Sequence, residues 1–262
     1  MKNWIKVEMG INKLYKYLDA KGGLMMLKNS NLQFTNATRL NDPFDCHPAL
    51  INFSNVPKDK FGGNAKVIAL LQAGKCVGKR NNAWICSLSQ VKDSLLMWAY
   101  YGNHEGVCIG LNMDNTHNYL SKIQCSVFQG ALEMEVQYKD IIEKPDFFNE
   151  RIDYYRYQFS TKAKDWAHEK EVRLLLISPS PAFVPMRSPR EPDREAIIPW
   201  EEVRAYPHIG SECFDSLYFG ININLLKRTE IIETARKCNP NIKIYQMELD
   251  PKAFRLKSSQ IE

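Results

Sequence analysis

Between residues 131 and 139 the chain alternates without a break: Leu132, Met134, Val136 and Tyr138 fall on one side, Glu133, Glu135 and Gln137 on the other. A period of two marks a β-strand, because successive side chains leave the backbone on opposite faces. Such a strand predicts a sheet with one dry face and one wet face, and it excludes an all-helical fold. A second strand with different demands follows at Glu171–Ile177, apolar in most positions and opened by a carboxylate. Helical spacing recurs between the strand signals, so the chain reads as α+β, with mixed, mostly antiparallel sheets and flanking helices.

Further strands are expected at 12–17, 32–35, 84–88, 107–112, 216–223 and 242–249. Helices are expected at 21–29 with Leu24, Met25 and Leu27 inward, at 65–74, at 94–101 with Asp93 as cap, at 146–170, and at 224–238 with Asn224 as cap. The unit from 216 to 249 predicts two parallel strands joined by a right-handed crossover. Residues 57–64 read as a polar loop. The stretch 178–195 holds five prolines and reads as a loop inside one domain spanning 1–262, with a core from about 12 to 250, because strand and helix signals resume after it.

A chain of 262 residues, 44% of them hydrophobic, can bury a full core without disulfides or metal. Its net charge of +5 suits an anionic partner such as a nucleotide or RNA, yet the basic residues are dispersed among acids, unlike those of a dedicated nucleic-acid binder. The seven cysteines form no C-x-x-C pair, which excludes zinc-ribbon and thioredoxin-like motifs. Cys86, Cys108 and Cys125 sit in apolar runs, as core cysteines do. A reducing cytoplasm is the expected location. Residues 1–10 are amphipathic, with no apolar stretch of signal-peptide length, and no run of 18 apolar residues occurs, so no membrane partner is expected.

Several chemistries are excluded by spacing. Gly74-Lys75-Cys76-Val77-Gly78-Lys79-Arg80 has only three residues between its glycines and no Ser or Thr after the lysine, so it lacks the phosphate cradle and magnesium ligand of a P-loop. Gly106 and Gly110 lack the third glycine of a dinucleotide fingerprint. There is no G-x-S-x-G elbow, although Ser87 or Cys86 with His104 as base is a conceivable nucleophile pair. The histidines at 47, 104, 117, 168 and 208 form no H-E-x-x-H pair, and no metal site is expected.

Three short segments concentrate the polar chemistry. In 166–173, Glu169, Glu171 and Arg173 alternate and share a face if the strand begins early. A carboxylate there can stabilise a developing cation, or it can close an edge salt bridge from Glu171 to Arg173. In 98–104, Trp98 and Tyr101 lie on one helical face with His104 just beyond. That face suits core packing, or a flat wall for a nucleobase or nicotinamide. Asn41-Asp42-Pro43-Phe44-Asp45 is either a rigid turn or the lining of a polar pocket.

Leu14-Tyr15-Lys16-Tyr17, Leu40 to Asp45, Cys86 to Ser89, Leu96 to Tyr101, Gly106 to Ile109 and Trp166 to Leu174, in that order, resemble one bacterial family, domain of unknown function 2971. The resemblance spans roughly residues 12 to 250, and the family name carries no activity. The order of these pieces is also similar, more distantly, to ADP-ribosyltransferases of bacterial toxin and phage-defence systems. That likeness implies an ADP-ribosyltransferase-like core with NAD as cofactor. Lys16 or Tyr17 would hold NAD near the first strand and Ser87 with Tyr101 on the middle strand, with Trp98 or Tyr101 against nicotinamide. Glu171 would serve the reacting ribose, and Asn41, Asp42, His104, Glu169 and Arg173 would complete the pocket, with a protein or nucleic acid as acceptor. Two other expectations stand beside it: a non-catalytic module sensing a nucleotide or a phage component, and a hydrolase or nuclease using Asp42, Asp45 and Glu171 around a divalent metal.

Overall fold

The computed structural model describes residues 11–122, 130–177 and 204–261. The N-terminal ten residues, Cys125 and the Pro-rich stretch 178–195 lie outside the described residues. In chain order the elements are β1 Lys13–Leu18, α1 Ala20–Asn29, β2 Phe34–Asn36, α2 Lys58–Phe61, α3 Ala65–Asn81, β3 Ala83–Ser89, α4 Leu95–Gly102, β4 Val107–Asn112 and α5 Met113–Lys122. After these come β5 Gly130–Glu135, β6 Gln137–Lys139, α6 Tyr154–Ser160, β7 Thr161–Ala163, β8 Glu171–Ile177, β9 Arg204–Ala205, β10 Phe214–Phe219, α7 Leu225–Cys238, β11 Lys243–Leu249 and β12 Leu256–Gln260.

Ten of the strands form one large mixed, mostly antiparallel sheet, and the fold is α+β. It consists of two half-sheets. One runs β12-β11-β10-β4-β1, and its parallel pair, β10 with β11, is bridged by α7 as expected. The other centres on β3, whose one edge is paired along its whole length with β8, itself followed by β5. The opposite edge of β3 is shared. β2 pairs with it at Trp84 and Ile85, and β1 meets it at Ser89 through the single register pair Tyr15↔Ser89. The sheet therefore splits between β1 and β2, leaving the edge of β3 around Ser87 open.

The connection from β1 to β2 is α1. Asp19 caps its first turn by accepting from the Gly22 amide, and Ser30 ends it in the left-handed region at φ 46°. Gly23 permits the close seat of this helix on β4, because a Cβ there would lie 2.1 Å from Val107 Cγ2. The other side of α1 packs on α7.

Alternation sorts the strands into three cores. Leu14, Trp84, Cys86, Val107, Ile109, Leu111, Val172 and Leu174 pack under α1 and α7. Tyr17, Trp98, Cys108, Tyr218 and Met247 form a core on the reverse of the first half-sheet, beneath α4. Ile85, Met134, Phe159 and Leu175 form one on the reverse of the second. Each fully buried large side chain contributes about 1.5–3 kcal/mol. The six described cysteines are free, and Cys86 and Cys108 are buried in these cores. Among the described residues no helix is long and apolar enough to cross a membrane.

Several local expectations are corrected. The helix expected over 146–170 is only the seven residues of α6, because Thr161 leaves it into β7 and residues 164–169 form a 3-10 turn. That turn ends at Lys170 with φ 43°, so β8 starts at Glu171 and Glu169 is not part of it. The alternating run is broken between Glu135 and Gln137, and its second face is wet only towards its end: Glu133 is buried against His117 at 2.7 Å, Glu135 is half-buried and Gln137 is exposed. Ser94, not Asp93, caps α4 through the Met97 amide. Met26 rather than Met25 faces inward on α1. α3 continues to Asn81, and α2 forms inside the segment read as loop. The P-loop-like glycines Gly74 and Gly78 are helical residues of α3.

Candidate functional site

The split in the sheet is a cleft. Two adjoining cavities of about 370 and 690 Å³ share Lys16, Gln33, Tyr101 and Arg204 in their walls and form one groove. Its floor is the open edge of β3. Lys16 spans the gap there, its Nζ donating to the Ser87 carbonyl at 2.9 Å. The cavity beside the first turn of α1 is lined by Lys16, Lys21 and Arg204 with Asp19 among them, and the adjoining cavity adds Arg39. At the other end stand Ser87, Ser89, Tyr101, Glu169 and Glu171.

Strand register explains that polar end. Ser87 stands opposite Arg173 and Ser89 opposite Glu171, so all four side chains fall on one face of the β3–β8 pair. The next residues on the same face, Ile85 and Leu175, return to core. Glu171 is buried and takes Arg173 Nε on Oε1 at 2.9 Å and Lys162 Nζ on Oε2 at 3.0 Å. Arg173 turns its far side to Asp45, with Nη1 to Oδ1 at 2.8 Å and Nη2 to Oδ2 at 2.7 Å, and gives a further bond to the Phe159 carbonyl. Lys162 reaches Glu169 Oε2 at 2.5 Å, and the Tyr101 hydroxyl donates to Glu169 Oε1 at 2.7 Å.

The result is a buried chain of alternating charge: Asp45, Arg173, Glu171, Lys162, Glu169. Three carboxylates against two cations leave one residual negative charge, and Glu169 and Glu171 are the members that line the cleft. Burial alone would raise the Glu171 carboxyl. The Arg173 guanidinium, then the Lys162 ammonium and the Ser87 hydroxyl, more than offset it and hold the group well below the usual carboxylate range. Burial opposes the charge on Lys162, but Glu171 and Glu169 win and its pKa is raised. Burial raises the Tyr101 phenol too, and Glu169 raises it further. The Tyr138 hydroxyl, which accepts the Glu171 amide at 2.8 Å, is pushed up to about 12 by burial.

Of the residues singled out in the sequence, the cleft brings together Lys16, Asn41, Ser87, Tyr101, Glu169 and Glu171. Arg173 stands behind Glu171, fully buried. Tyr17 borders the cleft, but its ring packs edge-on against Trp98 and its hydroxyl donates to the Val91 carbonyl at 3.0 Å. Trp98 is in the core, its indole N–H bonded to the Lys92 carbonyl, and is no part of the cleft wall. His104 sits at the end of α4 with φ 57°, holding the Asn222 amide through its carbonyl, away from the cleft walls. Asp42 is buried in its own turn, where Oδ1 accepts the Phe44 amide.

Arg173 stands between Asp45 and Glu171, so those carboxylates meet a guanidinium where the metal-dependent reading needs an ion. Among the described residues no group of three or more His, Cys, Asp or Glu side chains is placed to hold a metal. Lys162, Lys21, Gln33, Arg39 and Arg204 were not foreseen. Lys162 carries no local signal, since it falls within the Tyr-rich, charged stretch whose composition predicts a long helix over 146–170.

Fold and site define an α+β protein with a split sheet and a charged cleft at the split. Residues 97–174, which carry most of α4 with Tyr101 at one end and Lys162, Glu169, Glu171 and Arg173 at the other, match the family model described as "Protein of unknown function (DUF2971)". That is a narrower stretch than the resemblance from 12 to 250. No curated protein and no solved structure matches the chain, so no likeness to ADP-ribosyltransferases is found.

Proposed function

We propose that the cleft between β1 and β2 binds NAD and that the chain transfers its ADP-ribosyl group. One observation carries this reading: the groove joins a cationic end to an end walled by fixed carboxylates. A dinucleotide has the complementary layout. Its pyrophosphate suits Lys16, Lys21 and Arg204 near the first turn of α1, with Arg39 in the adjoining cavity. Its nicotinamide riboside carries a positive charge that suits Glu169 and Glu171.

In the reaction the ribosyl C1′–N bond breaks, and its electron pair leaves with nicotinamide, which becomes neutral. The ribose is left as an oxocarbenium ion, and an acceptor nucleophile on a protein or nucleic acid attacks C1′ and loses a proton. Glu171 stays ionised through the neutral range, so it acts by field and not as a proton donor. Consumption of NAD in this way is the chemistry of a toxin or phage-defence effector.

The test is nicotinamide release from NAD by the intact chain and by Glu171→Gln, with folding checked by circular dichroism. Release by the wild type and a fall of about 100-fold or more in the variant is expected. Full release by a folded Glu171→Gln sinks the reading. A second reading, a nucleotide sensor without chemistry, is favoured by the fact that both Glu171 oxygens are already taken by Arg173 and Lys162. It predicts thermal stabilisation by NAD or ADP-ribose, lost in Lys16→Ala with Arg204→Ala, and no nicotinamide release.

A further inference from the structure

The helix α3 is built nearly inside out. Its protein-facing side carries the small residues Ala65, Ala69, Ala73 and the buried Cys76, with Ile68 half-buried at its flank, whereas the other four large aliphatic residues face solvent. Val67 is 56% exposed, Leu70 73%, Leu71 56% and Val77 44%. At 100° per residue these four, with Gly74 and Gly78 between them, form one stripe opposite Cys76, about 15 Å long from Val67 to Val77. Lys66 and Lys75 are exposed along its two margins, where long side chains can carry their charge beyond an apolar face.

The charge is as uneven as the packing. From Lys58 to Arg80 six basic residues stand against Asp59, a surplus of five that equals the net charge of the entire chain. Arg80 is spent internally, on the Ala37 and Asp45 carbonyls, and Lys79 lies over the Tyr155 ring. Lys58, Lys60, Lys66 and Lys75 remain on the surface around the stripe, and Phe61 of α2 adds a partly exposed ring at its start.

We infer that α2 and α3 dock on the surface of an anionic lipid bilayer, with the aliphatic stripe in the acyl boundary and the lysines at the headgroups. Charge complementarity points to an anionic surface, and the stripe separates a bilayer from a nucleic acid, whose phosphates gain nothing from desolvated leucines. The helix lies in the interface plane. It does not span.

The experiment is co-flotation of the full chain with vesicles of phosphatidylcholine alone and of phosphatidylcholine with phosphatidylserine at about 2:1. Binding to the anionic vesicles, abolished in about 0.5 M salt, is expected. Leu70→Ser with Leu71→Ser and, separately, Lys66→Glu with Lys75→Glu are each expected to weaken it at least tenfold. All four side chains are exposed, so thermal midpoints should match the wild type. Equal flotation on neutral vesicles, no flotation at low salt, or flotation indifferent to the leucine pair overturns the inference. So does a dimer in sedimentation that the leucine pair dissolves while flotation persists, or RNA retention that removes the protein from vesicles irrespective of Leu70 and Leu71.

Discussion

The two half-sheets treat buried polarity in opposite ways. Behind β1, β4, β10 and β11 the groups are aromatic: Tyr17 against Trp98 edge-on at 5.4 Å, Tyr218 stacked on Tyr245 at 4.7 Å, Tyr15 edge-on to Tyr218. The rings of Tyr17, Trp98 and Tyr218 are buried, and the Tyr17 hydroxyl and the Trp98 indole N–H each donate to one backbone carbonyl. Behind β3 and β8 the same depth holds ionised groups, Arg173 with Asp45 and Glu171, which burial penalises unless every charge is answered. The first half is stabilised mainly by buried apolar area. The second half holds its charges in a fixed arrangement at the wall of a cleft, at some expense in stability, which is what a site requires.

The strongest way to break this comparison is Arg173→Ala. It leaves Asp45 and Glu171 buried without their main partner and should cost about 3–5 kcal/mol in urea unfolding. A loss under about 1 kcal/mol would mean that the network is no more demanding than the aromatic core. Replacing the triad together, Asp45→Leu, Arg173→Met and Glu171→Leu, should recover most of that loss while abolishing any response to NAD.

Acidity sharpens the contrast next. The folded pKa of Glu171 is depressed, so its stabilisation is complete above the ordinary glutamate value of about 4.3 and fades as pH falls below it. Wild-type stability should therefore decline more steeply from pH 5 towards pH 2 (about the range reachable by acid titration) than that of Glu171→Gln. Met247→Ala, in the aromatic half, should lose about 2–3 kcal/mol with the wild-type pH slope. Parallel acid curves for wild type and Glu171→Gln would remove the network from the account of acid stability. The smallest expected effect is Tyr101→Phe, which deletes the donor to Glu169 at the rim and should cost about 1 kcal/mol in thermal or urea unfolding. A loss above about 3 kcal/mol would place Tyr101 in the core energetics instead.

Strands with strong patterns are legible in the sequence: β1, β3, β4 and the β10–α7–β11 unit stand within a residue or two of where periodicity sets them, apart from the early end of β10. The site was legible as types of residue in segments. Glu171 is visible because a carboxylate opening an apolar strand is costly, and Ser87 because a hydroxyl at the end of an expected strand stands out and the family resemblance points to it. What closes the site was not visible. Asp45 reaches Arg173 across 128 residues, and no local pattern encodes a partner at that distance. Lys162 was hidden because a Tyr-rich, charged stretch reads as helix until tertiary pairing of β6 with β7 pulls Thr161 out of it. Trp98 misleads in the other direction: spacing alone cannot tell a ring that walls a pocket from one that fills a core.

The open edge of β3 has a consequence for how such a chain can diversify. The cleft takes its spacing from main chain: α1 spans the gap, Gly23 fixes it to β4, and the Ser87 carbonyl forms the floor. None of that depends on the side chains at Gln33, Thr35, Arg39 or Arg204, which only colour the walls. Substitutions there can alter which molecule is accepted without moving the frame. Descendants of one ancestor can thus keep this architecture while changing ligand, and kinship in backbone need not imply kinship in substrate.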